Sequence, residues 1–334
     1  MKKRILVIFI RMLIPCIFAY AQNSRVAQSG MTFLNIDIGA RPSAMGGSFV
    51  CMDNDANSLF WNPAGIAKIN EVNIIFNETS WLAGMNQYSA GCTFEVGRYG
   101  VAGLSFLLMD NPEIHVTTIR SAGEMWFDEG FQDMINQYAI GFAFARQMTT
   151  LFAIGGQIKW IHEDFGSFDY EDRVTGEEVT DWQAKTNAIA FDFGTQYYAG
   201  FKDLRLALSI RNFAPRMRYQ LEYFELPLVF QFGMALNLFS VIFPEQNFHT
   251  LNVSVDALHP RDYSERISIG GEYWFLDLVA IRGGYKFNHD LEGFSAGIGV
   301  RKRLSSINAH FDYSYSTIGG IFNDVQRISF GIAF

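Results

Sequence analysis

Four polar residues at alternate positions near the end of the chain, His310, Asp312, Ser314 and Ser316, are the side-chain types of a nucleophilic hydrolase: a base, a carboxylate to orient it, and hydroxyls to attack. Their spacing argues against that chemistry. Residues two apart on a strand point the same way in a row, whereas a triad needs side chains that converge. The six histidines, His115, His162, His249, His259, His289 and His310, show no HxxxH or HExxH spacing. No Gly-x-Ser-x-Gly elbow, Walker loop or dinucleotide fingerprint occurs, so the residues point to no enzyme and imply no nucleotide cofactor.

The ends of the chain say more. Residues 1–21, MKKRILVIFIRMLIPCIFAYA, have a basic start, an apolar run and a small-x-small close at Ala19-Tyr20-Ala21, the layout of a secretory signal peptide cleaved after Ala21. Cleavage also removes Lys2, Lys3, Arg4 and Arg11, leaving 22 basic against 34 acidic residues and a net charge near −12, which excludes nucleic acid as a partner. Cys51 and Cys92 remain; they are free to pair in an oxidising compartment and lack metal-ligand spacing. The composition is 49% hydrophobic with 32 Phe and 14 Tyr, yet after the signal peptide no apolar run approaches the roughly 18–20 residues of a spanning helix.

The elements that carry this apolar content are strands. In 138–145, Tyr138, Ile140, Phe142 and Phe144 share one face while Ala139, Gly141, Ala143 and Ala145 share the other. The same scheme sets Ile189, Phe191 and Phe193 against Ala188, Ala190, Asp192 and Gly194, sets Leu206, Leu208 and Ile210 against Arg205, Ala207, Ser209 and Arg211, and sets Phe294, Ile298 and Val300 against Ser295, Gly297, Gly299 and Arg301. A soluble sandwich turns its large residues inward and shows water Lys, Glu and Thr; here the second face is Gly, Ala and Ser with isolated charges, which suits a crowded polar lumen. Fourteen such segments run from 72–80 to 325–334, an even number as bacterial single-chain barrels require. The piece 112–120 reads as a lengthening of the third strand or, alternatively, as a fifteenth strand. Tight turns, SVIFPEQ at 240–246 among them, alternate with longer connectors at 121–134, 163–185 and 214–225; short turns face the periplasm in such barrels, and the acidic 163–185 hangs outside.

The expected fold is therefore an all-β, transmembrane antiparallel barrel over 72–334 in the outer membrane of a Gram-negative, diderm bacterium, in contact with outer-membrane lipid. Its last strand, RISFGIAF, places Ile328, Phe330, Ile332 and Phe334 on one face and ends on an aromatic residue, which resembles the signal read by the barrel assembly machinery. A fourteen-stranded lumen is too wide for wall side chains to fill. Residues 22–71, broken by Gly39, Pro42, Gly46, Gly47, Pro63 and Gly65, form the plug or hatch expected inside it.

Within that segment the run Gly39-Ala40-Arg41, Ala44-Met45-Gly46-Gly47, Asp53, Asp55-Ala56 and Trp61-Asn62-Pro63-Ala64-Gly65 resembles the amino-terminal signature of the PorV/PorQ family, itself similar to the FadL-type transporters of hydrophobic compounds. In FadL-like proteins an Asn-Pro-Ala element belongs to the hatch, and the resemblance implies that place for Gly46, Gly47 and for Trp61 to Gly65. It implies two functions. The favoured one is cargo transfer in protein secretion of the type IX kind, with secreted protein as partner; the acidic 163–185 loop, otherwise a solvated connector, is the candidate surface to hold it. The alternative is passive transport of hydrophobic small molecules such as long-chain fatty acids.

Overall fold

A computed structural model describes residues 28–118, 127–132, 135–171, 178–219, 222–242, 248–320 and 323–334; the expected signal peptide, 1–21, lies outside the described residues. Fourteen strands close into one antiparallel barrel. They are β1 (Asn73–Ser80), β2 (Asn86–Glu95), β3 (Val101–Asp110), β4 (Asn136–Thr149), β5 (Phe152–Glu171), β6 (Glu178–Tyr198), β7 (Arg205–Phe213), β8 (Val229–Asn237), β9 (His249–Pro260), β10 (Arg266–Phe275), β11 (Val279–Phe287), β12 (Glu292–Leu304), β13 (Ile307–Ile318) and β14 (Val325–Ala333). Closure is between β1 and β14, with Asn73 opposite Ala333 and Ser80 opposite Gln326. Val72 and Phe334 extend that seam by exchanging backbone hydrogen bonds of 2.9 and 3.0 Å.

The period-two pattern decides the two surfaces. Along β4, Ile140, Phe142 and Phe144 are exposed while Ala139, Ala143 and Ala145 are buried. Along β14, Ile328, Phe330 and Phe334 are exposed on the same outer side, while Arg327 and Ser329 are buried inside. A continuous outer band of Phe, Ile, Leu and Trp has no place in water, and closure leaves no unpaired strand edge within it, so the wall is built for lipid. The two cysteines fall on opposite sides of this wall: Cys51 is buried within the lumen, Cys92 shares the outer face with Phe76 and Tyr88, and both are free thiols.

Four connectors differ from the sequence expectation. Ile114–Thr118 does not lengthen β3; it pairs with Phe127–Gln132 in a separate two-stranded hairpin, because Asn111–Glu113 break the run. The segment 163–185 is not a free loop: β5 and β6 stay paired from Phe152 opposite Tyr197 out to Glu171 opposite Glu178, through irregularities near Ser167 and Tyr170. The described parts of that acidic stretch, 163–171 and 178–185, are thus strand on both sides of the hairpin. The connector 214–225 likewise carries a short hairpin, Met217–Tyr219 with Glu222–Phe224, and the nominally tight SVIFPEQ turn begins inside a helical turn, Leu238–Ile242.

Candidate functional site: the filled lumen and its outer cavity

The segment ahead of β1 runs down the inside of the barrel. Ser29 pairs with Glu225 at the long-connector end, with Gly30 N donating to Glu225 O at 3.1 Å. Phe33, Leu34 and Ile38 then bury against Leu107, Met109 and Ile161, all inward residues of β3 and β5. Next come helix α1 (Ala40–Ala44), a Gly46-Gly47 turn, helix α2 (Ser58–Trp61) and a 3-10 turn, Pro63–Ile66, before the chain leaves at the short-turn end into β1.

Two sites in the wall accept this segment as backbone against backbone. Gly46, at φ +65°, sits against β10 and β11: a methyl group at Gly284 would fall 2.2 Å from the Gly46 nitrogen, and one at Gly270 2.4 Å from the Met45 oxygen. On the opposite side Pro63 and Ala64 press on β5 and β6, where a methyl at Gly155 would fall 2.5 Å from the Ala64 nitrogen. The absence of side chains there is what lets the corner enter. Asn62 completes the corner: its side-chain oxygen accepts from Ala64 N at 3.0 Å, and its amide donates to Val50 O at 2.8 Å and to Thr195 O of β6 at 3.2 Å. Pro63 fixes its own φ and keeps Asn62 extended, at φ −154°, ψ 104°. Trp61 donates to Ile38 O at 3.0 Å, its carbonyl accepts from Ser209 Oγ at 2.7 Å, and Arg211 lies 5.0 Å over its ring. Gly65 closes against Ser58 and Met52, and its carbonyl accepts from Asn54 N at 3.0 Å.

Charge fixes the same segment. Arg41 grips Glu272 of β10 with two hydrogen bonds of 2.7 Å and reaches Asp55 at 2.7 Å; Glu272 also binds Arg282 at 2.7 Å, and Arg282 binds Asp312 at 2.6 Å. The result is an alternating chain, Asp55, Arg41, Glu272, Arg282, Asp312, almost wholly out of water. Burial alone works against charge on Asp55 and on Arg41; the opposite charges outweigh it, holding the Asp55 carboxyl below and the Arg41 guanidinium above their ordinary values. Asp53 is anchored to Arg205 at 2.7 Å and accepts from Tyr198 at 2.8 Å, and Asp37 is anchored to Lys286 at 2.7 Å.

Above and below the seated segment the lumen is open. The outer cavity, about 500 Å³, has an apolar side that includes Phe33, Trp81, Met85, Met109 and Leu258 and a polar side made by the rim of β9 to β12. The inner cavity, about 530 Å³, is polar and is bounded by Arg41, Asp55, Arg301, His310 and Asp312. The hydrolase-like row on β13 is dispersed among wall contacts: Asp312 binds Arg282, Ser316 accepts from Arg327 at 3.0 Å, and His310 packs on Gly331.

The residues singled out from the sequence thus separate. Gly46, Gly47 and Trp61 to Gly65 are brought together in the lumen core, while Ile328, Phe330, Ile332 and Phe334 lie along the outer face of the closing strand. Their partners Glu272, Arg282, Arg205, Lys286, Gly155 and Gly284 were not singled out. The available signal was a lone charge or glycine on the small face of an alternating strand.

No family model matches this chain, and no curated protein is significantly similar to it in sequence. Solved structures are similar in fold. The CymD monoaromatic hydrocarbon channel superposes with a TM-score of 0.56 at 10% identity, covering 91% of this chain and 98% of its own. The toluene transporter TbuX of Ralstonia pickettii gives 0.54 at 12% identity, covering 88% and 97%. A FadL homologue of Pseudomonas aeruginosa gives 0.52 at 10% identity, covering 89% and 98%. The chain has the fold of the FadL-type channels, closed with fourteen strands around its own amino-terminal segment.

Proposed function

We propose that this protein is a non-enzymatic, passive channel for hydrophobic small molecules in the outer membrane of a diderm bacterium. The observation that carries the reading is the outer cavity of about 500 Å³, with an apolar side and a floor formed by the seated segment. A ligand burying about 200 Å² of apolar surface there gains roughly 5 kcal/mol from leaving water, before the losses of immobilisation. Residues 28–71 act as the hatch. Because Arg41, Asp53 and Asp37 each end on a wall charge, passage requires those contacts to shift, and a concentration gradient supplies the direction. The fold shared with a hydrocarbon channel and a toluene transporter supports this reading. The cargo-transfer reading rests on the motif resemblance alone. The terminal strand, ending at Phe334, serves recognition by the assembly machinery.

Uptake tests the proposal. Cells lacking their own hydrophobe channel and expressing this barrel are expected to take up labelled toluene or decanoate faster than cells with empty vector; equal rates with folded barrel in the membrane overturn it. The hatch is tested by a lock. Ser48 and Ser254 touch across the hatch and wall, oxygen to oxygen at 2.9 Å, so the double variant S48C/S254C is positioned to form a disulfide. Oxidation is expected to stop uptake and reduction to restore it.

A further inference from the structure

The outer cavity contains two opposite charges that do not meet. Asp262, in the turn between β9 and β10, lines the cavity and is only 2% exposed; among the described residues it accepts no hydrogen bond, and its Oδ1 is sealed from water without a partner. Arg266, at the start of β10, lines the same cavity. Among the described residues its guanidinium makes no hydrogen bond, and its Nε is sealed and unpartnered. It stacks 4.3 Å from the Tyr263 ring, and its ion pair, a loose 3.6 Å, is with Asp290, whose side chain is 74% exposed. Elsewhere in this cavity charges close on one another, as Asp37 and Lys286 do at 2.7 Å.

We propose that Asp262 and Arg266 form the head-group site of the outer cavity and select apolar compounds whose head is neutral and both donates and accepts hydrogen bonds, a primary carboxamide being the simplest. This deepens the channel reading and rests on it. A carboxamide oxygen accepts from the terminal nitrogens of Arg266 while its NH2 donates to Asp262 Oδ2, the groups' atoms that are not sealed, so each charge gains a partner of the kind it lacks. A carboxylate satisfies Arg266 and meets the charge of Asp262; an ammonium does the reverse; a plain hydrocarbon leaves both unpaired. The apolar body then lies on Trp81, Met85, Met109 and Leu258 on the other side of the cavity.

The test is a titration of the full barrel in detergent with octanamide, octanoate, octylammonium and headless ethylbenzene, read by the fluorescence of Trp61 and Trp81, which line the cavity. Octanamide is expected to bind at least about tenfold more tightly than either charged analogue, the discrimination expected when buried polar groups are left unpaired. D262L is expected to lose that preference, octanamide and octanoate then binding alike, and the gentler D262N to tighten octanoate by relieving the like-charge contact. Ethylbenzene binding with no preference among heads overturns the selection alone and assigns the two groups to water. Binding of no probe overturns the channel reading together with the selection.

Discussion

The middle of the lumen and its outer mouth are built from the same residue types to opposite ends. In the middle, Asp55, Arg41, Glu272, Arg282 and Asp312 each find an opposite charge within 2.7 Å, and the backbone of the hatch lies directly on wall glycines. At the mouth, Asp262 and Arg266 line one cavity and remain apart. Burying a charge is tolerated only with a partner. Where the protein supplies the partner the contact is a seat, and where it withholds one the arrangement is suited to a guest.

The comparison breaks most visibly at Glu272. Glu272→Ala leaves Arg41 and Arg282 facing each other in a dry lumen and is expected to cost about 3–5 kcal/mol. Denaturant unfolding of the detergent-solubilised barrel measures it, and bilayer conductance is expected to rise as the hatch loosens. Arg216→Ala at the exposed Arg216–Glu225 pair, where the arginine side chain is 74% exposed, is the contrast, at under about 1 kcal/mol. A loss at Glu272 no larger than that would erase the distinction between seat and mouth.

Gly284→Ala comes next. Its methyl must displace the backbone of Gly46, and a cost of about 1–3 kcal/mol is expected. Gly271→Ala, whose methyl would find only Gly283 O, at 4.0 Å, is expected to be near neutral in the same unfolding assay. At the mouth, Trp81→Ala is expected to weaken an apolar ligand by about 1–2 kcal/mol, seen as a roughly tenfold rise in its dissociation constant.

The smallest effect is a pH dependence at the rim. Burial, reinforced by the Lys286 cation, pushes His289 down to about 4, and its neutral Nδ1 accepts from Glu292 N at 3.1 Å. The unfolded chain therefore takes up a proton on this group before the folded one does. Stability from His289 is present above its ordinary value near 6.5 and is lost as pH falls from there toward about 4. Melting temperatures of wild type and His289→Asn, compared across that window, are expected to converge as the pH falls.

Much of the wall was legible residue by residue. Ile140, Phe142 and Phe144 alternate with Ala139, Gly141 and Ala143, and a strict period of two assigns each to a face before any partner is known. That Asn62–Gly65 form a corner was legible because Pro63 and Gly65 restrict the backbone locally. The extra hairpin at Ile114–Thr118 was not, since its alternation continues that of β3 and only its pairing with Phe127–Gln132 separates it. Nor was the continued pairing of β5 and β6, because charged residues in a rising hairpin look like a solvated loop when their cross-strand neighbours are unknown.

Sequence alone determined the two faces of the strands and the number of wall segments, because each rests on side-chain periodicity; the place of the Asn62–Gly65 corner was what the family resemblance implied. Tertiary structure alone decided which buried charges meet. Arg41 and Glu272 are 231 residues apart and join because the hatch descends past β10, whereas Asp262 and Arg266, four residues apart, stay separate at the rim. Periodicity says which side of the wall a charge faces; only the register of distant strands and the path of the hatch bring a partner within reach.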